Sequence, residues 1–428
     1  MATRSFGAFS RVWSIAGLAV AVTCAGCGGS GDGDGSSGDP GSGGTDGAGG
    51  SSGTGTTTGT TTGTDDIDVS TNGNPFTGAS FYINPDYVAQ VQSSIDMSPA
   101  DGALLEKVKA YPTAIWLDRI AMVEEVGPHL DAALAQQQEE GKPVVSVLVV
   151  YDLPNRDCAA LASNGELHIE DGGVERYRTE FIDAIAAEFQ AHPNQRKVAI
   201  IEPDSLGNIA TNLSLTKCAE SEQVYRDSVA YAISTLSAIP NTYLYLDAAH
   251  AGWLGWPDNQ NKIATIFKEV LDAAGGTDTI RGFATNVANY TVLHEVPELH
   301  DYEFNPCHDE TIYTTQLGQT FAAAGITNRA FLIDTSRNGL GGLRAKWGSW
   351  CNVDGAGLGE RPRADPAAGL DAYFWVKPPG ESDGTTDPSS PRFDASCASD
   401  DSALNAPEAG ASFHPFFVML AQNANPPL

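Results

Sequence analysis

The amino-acid sequence predicts an α/β fold, a distorted seven-stranded parallel (β/α) barrel similar to a TIM barrel. From about residue 72 to the C terminus, seven short β-rich segments alternate with amphipathic helical stretches. Such alternation implies parallel strands joined by helical crossovers. Seven strand–helix units favour a closed barrel with one unit fewer than the usual eight, and a doubly wound open sheet is the alternative.

The predicted strands are short runs rich in β-branched and aromatic residues. They cover residues 113–117, 144–150, 198–201, 242–246, 280–284, 330–333 and 372–376. The amphipathic segments predict helices over residues 174–191, 220–238, 259–274 and 310–324. Before the first strand, Ser98 as N-cap and Pro99 at the first helical position predict a further helix start.

Residues 1–27 have the pattern of a signal peptide, so the protein is expected to be secreted or held at the cell surface. Arg4 and Arg11 precede an apolar run over residues 12–25 that is too short for a permanent transmembrane helix. Small residues before Cys27 are typical of lipoprotein processing, so the alternatives are lipidation of this cysteine and ordinary cleavage with release. Residues 28–71 are almost entirely Gly, Ser, Thr and Asp, which predicts a disordered linker. Residues 72–428 then form one folded domain.

The charge and the cysteines exclude several classes of function. The formal net charge is −30 and no basic run occurs, which argues against nucleic-acid binding. Of the five cysteines in the folded part, four can pair in an exported protein and one is left over. No C-x-x-C or H-x-x-x-H spacing occurs in that part, so neither a metal nor a cofactor is expected.

Polar, mostly acidic residues stand where each predicted strand ends. They are Asp118, Tyr151, Asp152, Glu202, Asp204, Asp247, Asn286, Asp334 and Lys377. In parallel α/β folds this edge of the sheet holds the active site, although any one of these residues alone could be a helix cap or a loop charge. The loops over residues 152–173, 335–371 and 377–410 are longer than usual, and each contains one cysteine. We therefore expect disulfide-pinned loops around a cleft at this edge.

Two aspartates at this edge have the arrangement that hydrolysis of a glycosidic bond needs. One carboxyl group must supply a proton to the leaving oxygen, and another must stay ionised. Asp204 comes just after a strand, and Asp157 lies in the loop after the preceding strand. A neighbouring carboxylate raises the pKa of its partner and so keeps it protonated near neutral pH. By spacing alone, a pair of solvated loop aspartates is the alternative, and carboxylates with His250 are also compatible with a hard metal ion that no motif specifies.

Four tryptophans are a second indication of sugar binding. Trp253 and Trp256 lie in a glycine-punctuated loop after a strand, Trp116 lies near the end of the first predicted strand, and Trp350 precedes Cys351. A single tryptophan ordinarily packs in the core. Several on the loops of one barrel face would instead offer flat apolar platforms for sugar rings.

Longer stretches of the chain resemble glycoside hydrolase family 6. The matching segments are residues 151–158, 202–205, 247–256, 284–290, 350–352, 375–378 and 380–384, in order within about residues 81–426. The resemblance implies a distorted barrel and the hydrolysis of β-1,4-glucosidic bonds in cellulose and cello-oligosaccharides, with inversion at the anomeric carbon. The sequence departs from common family residues at Asn155, Ala249 and Ser382, none of which matches a catalytic group.

By position in these motifs, five residues match the catalytic groups of the family. Asp204 matches the general acid, and Asp157 the aspartate that raises the pKa of that acid and helps to receive a proton through water. Tyr151 matches the tyrosine beside the distorted sugar, and Ser163 the serine that helps to position the water. Asp383 matches a carboxylate that has been proposed as the base.

The resemblance also implies substrate-binding residues and disulfides. The binding positions are Trp116, Trp253, Trp256 and Trp350 as sugar platforms, Asp247, His250, Lys377 and Glu381 as polar contacts, and Asp118 and Asn286 at strand ends. The implied bridges are Cys158–Cys218 and Cys351–Cys397, which leave Cys307 as a buried free thiol.

The length of the last loop favours attack at chain ends with release of cellobiose. Related endoglucanases shorten the loop after the last strand, whereas here the segment from Asp383 to Gly410 is long and contains Cys397. A pinned loop of this length can roof the cleft. The alternatives are an endo-acting β-1,4-glucanase of the same family and a non-catalytic glycan-binding surface protein. The expected partner is a β-1,4-glucan chain, and the protein is expected to be a monomer.

Overall fold

The computed structural model describes residues 67–71, 73–294, 304–327, 329–346 and 348–428. The predicted signal peptide, Cys27 and the linker up to residue 66 lie outside the described residues. Within the described ranges, no helix is both long enough and apolar enough to cross a membrane.

One curled, mostly parallel sheet forms the centre of the fold. Its strands in the described part of the chain are β1 Ser80–Phe81, β2 Ile115–Leu117, β3 Val144–Val150, β4 Arg196–Ile201, β5 Thr242–Asp247, β6 Gly282–Thr285, β7 Ala330–Asp334, β8 Arg363–Ala367 and β9 Leu370–Phe374. Strands β3, β4, β5, β6, β7 and β9 pair in parallel in the order of the chain. Both β1 and β2 pair with β3, and β8 pairs antiparallel with β9.

Eleven α-helices accompany this sheet in the described part of the chain. They are α1 Pro85–Met97, α2 Gly102–Leu105, α3 Val126–Glu140, α4 Gly173–Arg176, α5 Asp183–Ala191, α6 Ser205–Thr211, α7 Thr216–Ser237, α8 Ala251–Leu254, α9 Pro257–Ala273, α10 Glu310–Ala323 and α11 His414–Gln422. A π-helical turn, Tyr177–Ile182, joins α4 to α5. The four predicted helices correspond to α4–α5, α7, α9 and α10.

The seven predicted strands correspond to β2–β7 and β9, and their pairing in chain order excludes the doubly wound alternative, in which the strand order reverses. Thr113, which precedes β2, and Trp375, which follows β9, form an isolated parallel bridge. The sequence analysis missed β1, which has two residues, and β8, an antiparallel strand that contains a proline. The predicted helix start at Ser98 is wrong, because Ser98 caps the C terminus of α1 and donates its backbone N–H to Ser94.

Both faces of β3 are buried, which explains why all its residues except Ser146 are apolar. Val145, Val147 and Val149 face the inside of the curled sheet, where Phe76 also packs. Leu148 and the other even-numbered apolar residues of β3 pack under the helices. With the interior filled by side chains, the free space lies in the loops at the carboxyl ends of the strands.

Candidate active site

A cleft of about 800 Å³ lies at the carboxyl ends of the parallel strands. Most of the predicted site residues line it: Trp116, Asp118, Tyr151, Asp157, Ser163, Asp204, His250, Trp253, Trp256, Trp350, Lys377, Glu381 and Asp383. Residues from the ends of β2, β3, β4, β5 and β9 thus meet in one site, as expected for parallel strands that share an edge.

Asp204 lies in the cleft wall as the residue before α6. Its backbone is left-handed, with φ of 63°, and its amide donates to Oδ2 of Asp247 at 3.0 Å. The half-buried side chain makes no hydrogen bond to the helix that follows. Burial, and then the charges of Asp157 and Asp247, raise the pKa of Asp204 well above its ordinary value. Asp204 is therefore placed to carry a proton into the cleft at neutral pH.

Asp157 is buried and surrounded by donors. The hydroxyl of Tyr151 donates to its Oδ2, and the hydroxyl of Ser163 is a second donor. Burial raises the pKa of Asp157, but these hydrogen bonds and the charges of Arg156 and Lys217 favour its ionised form. Asp157 therefore ionises before Asp204, and its charge helps to keep Asp204 protonated.

Asp247 lies beneath Asp204 rather than in the cleft wall. Its Oδ2 accepts hydrogen bonds from the backbone amides of Asp204 and Ala249, while its Oδ1 is buried without a hydrogen-bond partner. Burial raises the pKa of Asp247 to about 7. Asp247 was expected to bind substrate, but it does not line the cleft and contacts it only through the backbone of Asp204.

Asn286 does not line the cleft, which corrects its assignment to substrate binding. Its side-chain amide donates to the carbonyls of Thr291 and Asp334 and accepts from the amide of Thr291. The residue is fully buried and has a left-handed backbone, with φ of 60°. Its polar atoms are used to hold the loop after β6, so it is a structural residue.

Three residues donate hydrogen bonds to the carboxylate of Asp383. Arg337 Nη1 lies 2.8 Å from Oδ1, and Oδ2 accepts from the hydroxyl of Tyr290 at 2.6 Å and from the amide of Asn352 at 2.8 Å. The Arg337 guanidinium also stacks on the Tyr290 ring, 4.3 Å from its centroid. Arg337 is fully buried and was missed by the sequence analysis, because it lies in an irregular loop where no periodicity or motif indicates its partner.

Lys377 and Glu381 form an ion pair beside the Trp116 platform. Lys377 Nζ lies 3.1 Å from Glu381 and 5.2 Å from the centroid of the Trp116 ring. The indole N–H of Trp116 donates to the carbonyl of Val376 at 2.8 Å, and its ring meets Tyr151 edge to face at 5.3 Å. The ring is therefore fixed in orientation at the cleft wall.

Trp253 and His250 form the wall on the other side of Asp204. The indole N–H of Trp253 donates to Thr211 at 2.9 Å, and a Cβ on Gly207 would lie 3.3 Å from the Trp253 ring. Burial lowers the pKa of His250 well below its ordinary value, so the imidazole is neutral. Its Nδ1 lies 3.2 Å from the hydroxyl of Thr291.

Arg156 connects three segments around Asp157. Its guanidinium donates to the carbonyls of Asp118 at 2.8 Å and Ser163 at 2.9 Å, and also to that of Tyr151. It stacks on the Tyr151 ring, 4.1 Å from the centroid. The motif over residues 151–158 contains Arg156, but its sequence alone does not indicate these carbonyl contacts.

The structure contains both predicted disulfides, Cys158–Cys218 and Cys351–Cys397, and Cys307 is a buried free cysteine. The loops that hold Cys158 and Cys397 contact each other beside the cleft: Arg392 donates to the carbonyl of residue 162 at 2.6 Å. Among the described residues, no group of three or more His, Cys, Asp or Glu side chains is arranged to hold a metal ion.

Comparison with known proteins gives a consistent set of relatives. The sequence matches the family model "Glycosyl hydrolases family 6" over residues 76–424. Exoglucanase 3 of Agaricus bisporus is 42% identical over 359 residues, which cover 83% of this chain and 80% of that protein. A 1,4-beta-D-glucan cellobiohydrolase of Podospora anserina is 42% identical over 370 residues, which cover 85% of this chain and 90% of that protein.

A solved structure has the same fold. Cellobiohydrolase II from Humicola insolens, in complex with glucose and cellotetraose, matches with a TM-score of 0.80 and 38% identity, over 83% of this chain and 100% of that chain. The family match includes every strand of the sheet and every residue that lines the cleft. The chain belongs to glycosyl hydrolases family 6.

Proposed function

We propose that the protein hydrolyses β-1,4-glucosidic bonds in cellulose and cello-oligosaccharides with inversion, and that it acts from chain ends and releases cellobiose. The observation that carries this proposal is the pair of Asp204 and Asp157 in a cleft lined by tryptophans. The two carboxyl groups have different environments, so one keeps its proton while the other is ionised. Inverting hydrolysis requires that division of roles.

The proposed reaction uses Asp204 as the proton donor and Asp157 as the proton acceptor. Asp204 gives its proton to the glycosidic oxygen as the bond from that oxygen to the anomeric carbon breaks. A water molecule forms the new bond to the anomeric carbon from the opposite face and loses a proton. Asp157 receives that proton through water, with Ser163 orienting the attacking molecule and Tyr151 lying beside the distorted sugar.

Asp383 has a different place in this proposal from the one that the family resemblance suggests. Its oxygens already accept hydrogen bonds from Arg337, Tyr290 and the amide of Asn352, so they are engaged by the protein rather than by water. We assign to Asp383 the positioning of the loop that carries Lys377 and Glu381. Asp157 is then the group that accepts the proton.

Binding of the glucan chain depends on the aromatic walls. Trp116, Trp253, Trp256 and Trp350 are half-buried, so each exposes ring surface to the cleft. The faces of glucose units are apolar and stack on such rings. Lys377, Glu381 and the neutral His250 supply hydrogen bonds to the hydroxyl groups at the edges of the same units.

The exo mode is supported by the contact between loops 152–173 and 377–410 and by the names of the two curated relatives, exoglucanase and cellobiohydrolase. We infer that this contact closes the cleft into a tunnel, and a tunnel admits a chain by its end. The bridge between Thr113 and Trp375 supports the finer architecture, a distorted barrel of seven parallel strands.

The proposal includes export of a monomeric enzyme. Residues 1–27 act as the signal peptide, residues 28–71 as a linker and residues 72–428 as the catalytic domain. The mass of the mature N terminus distinguishes lipidation at Cys27 from release.

Two measurements test the activity and its mode. Proton NMR during hydrolysis of a cello-oligosaccharide should show the α anomer of the new reducing end first, because inversion of a β linkage gives an α product. Early accumulation of the β anomer would require a covalent intermediate and would refute the mechanism. On carboxymethyl cellulose, viscosity should fall slowly as reducing ends form, and a steep fall with few new ends would refute the exo mode.

A further inference from the structure

Two loops of the cleft wall are held separately and meet only through noncovalent contacts. The loop of residues 152–173 follows β3, and its Cys158 is bonded to Cys218 on α7. The loop of residues 377–410 follows β9, and its Cys397 is bonded to Cys351 in the loop after β7. Neither disulfide joins the first loop to the second, so their relative position depends on the groups between them.

Two charged side chains of the second loop bind backbone groups of two consecutive residues of the first. Arg392 Nη2 donates to the carbonyl of Ala162 at 2.6 Å, and Asp394 Oδ2 accepts from the amide of Leu161 at 3.0 Å. A guanidinium can only donate and a carboxylate can only accept, so each group has the partner that it needs.

Beneath these hydrogen bonds the loops are in close contact. Gly384 and Ala162 are buried, and a Cβ on Gly384 would lie 2.6 Å from both the Cβ of Ala162 and the Sγ of Cys397. Ala162 also packs against the bridge between Cys351 and Cys397, with Trp350 beside it. Glycine at position 384 is what allows this approach.

We propose that this contact sets the balance between attack at chain ends and attack within chains. We call it the clasp and define it as Arg392, Asp394 and Gly384 on one loop against Leu161 and Ala162 on the other. The inference rests on the proposed function, because it identifies the residues that determine the exo mode.

The clasp affects the two modes of attack differently because chain ends and internal chain segments enter the cleft by different routes. An internal segment of a glucan chain has no free end, so it reaches the catalytic groups only when the two loops separate. The rate of internal cutting is then proportional to the fraction of molecules with an open clasp. Loss of one hydrogen bond of this kind increases that fraction by roughly two- to tenfold. Entry by a chain end does not need the opening.

The primary test variant is Asp394→Ala. Asp394 does not line the cleft, and the substitution removes the acceptor for the amide of Leu161. We expect the viscosity loss per new reducing end on carboxymethyl cellulose to rise about two- to tenfold. The rate on cellotetraose, a chain short enough to enter by its end, should stay at the wild-type value.

Asp387→Ala is a matched control in the same loop. Asp387 accepts from the amide of Ser389 at 2.9 Å, as Asp394 does from the amide of Ser396 at 2.9 Å, so both substitutions remove the same kind of local turn. The hydrogen bonds of Asp387 are to residues of its own loop. Its variant should keep the wild-type ratio of viscosity loss to reducing ends.

A second variant, Arg392→Met, removes the other hydrogen bond and should raise the same ratio independently. Wild-type ratios for both Asp394→Ala and Arg392→Met, with unchanged thermal unfolding, would overturn the proposal. An equal rise for Asp387→Ala would also overturn it, because general loosening of the loop would then suffice. A steep fall in viscosity with the wild-type enzyme would contradict the exo mode and not the clasp. The clasp would still be tested by whether the two variants raise the ratio above its wild-type value.

Discussion

Replacement of Asp204 by asparagine should remove the proton donor while leaving the cleft intact. The amide has the shape of the carboxyl group but supplies no proton to the leaving oxygen. Asparagine is preferable to alanine here because Asp204 has a φ of 63°, and asparagine tolerates the left-handed region better than other residues with a Cβ. A loss of activity in this variant then reports on chemistry rather than on backbone strain.

The expected loss of activity depends on whether another carboxyl group of the cleft can take the place of Asp204. Each is engaged by a partner of its own: Asp118 with Arg119 at 3.0 Å, Glu381 with Lys377 at 3.1 Å, Asp383 with Arg337 at 2.8 Å, and Asp157 with Tyr151. None of them occupies the position of Asp204 between β4 and α6. General acid catalysis contributes roughly 10²- to 10⁴-fold. Without a substitute donor we expect a loss of about 10³-fold or more on cellotetraose, or about 4 kcal/mol of transition-state stabilisation.

The assay compares two leaving groups. Cellotetraose needs protonation of a sugar oxygen, whereas 2,4-dinitrophenyl β-cellobioside releases a stable anion and should lose less than about tenfold. The matched control is Asp365→Asn, the same chemical change at another left-handed aspartate, with φ of 49°, that does not line the cleft. It should keep the wild-type rate. Near-normal hydrolysis of cellotetraose by Asp204→Asn, or equal losses on the two substrates, would refute the assignment.

Three further predictions concern pH and stability. Asp157→Asn removes a charge that raises the pKa of Asp204, so the alkaline limb of the pH–rate profile should move to lower pH; an unmoved limb would contradict the coupling. Replacing Cys351 and Cys397 together by serine opens a loop of 46 residues and should cost about 4 kcal/mol of unfolding free energy in urea titrations. Burial raises the pKa of Glu310 to about 8, against about 4 in the unfolded chain, so its contribution to stability is full below pH 4 and is lost as the pH rises to 8. Glu310→Gln should flatten that slope in unfolding midpoints measured from pH 4 to 8, and an unchanged slope would show that Glu310 is not the titrating group.

The parallel strands could be predicted from the sequence because both of their faces are buried, which requires most of their residues to be apolar. Strand β3 is apolar almost throughout, since one set of its side chains packs inside the sheet and the other under the helices. Strand β1 has only two residues, and β8 has partly exposed side chains and a proline, so neither has a periodic pattern. Ser98 and Pro99 have the composition of a helix start, but that local preference was overridden by the turn between α1 and α2.

The proposed catalytic residues were easier to predict from the sequence than the residues that hold them. Asp204, Asp157 and Tyr151 occur in contiguous motifs at strand ends, where side-chain type and position are visible in the chain order. Asn286 also follows a strand, yet its side-chain amide is hydrogen-bonded to backbone carbonyls around it. The donors around Asp383 come from segments up to 93 residues away in sequence, and only folding brings them together.

The sequence by itself determined the α/β class and the place of the cleft, because strand periodicity and strand-end polarity are local properties of the chain. The resemblance of its motifs to a known family implied the disulfide pairs that the structure contains. Only the tertiary structure showed that Asp204 is buried with Asp247 as well as Asp157 close enough to raise its pKa, because a pKa depends on burial and on charges that reach the group from several loops. It also decided that Arg337 holds Asp383 and that Arg392 and Asp394 join the two loops beside the cleft. Contacts of this kind depend on distances between residues far apart in sequence, and those distances exist only once the sheet has curled and brought its loops to one edge.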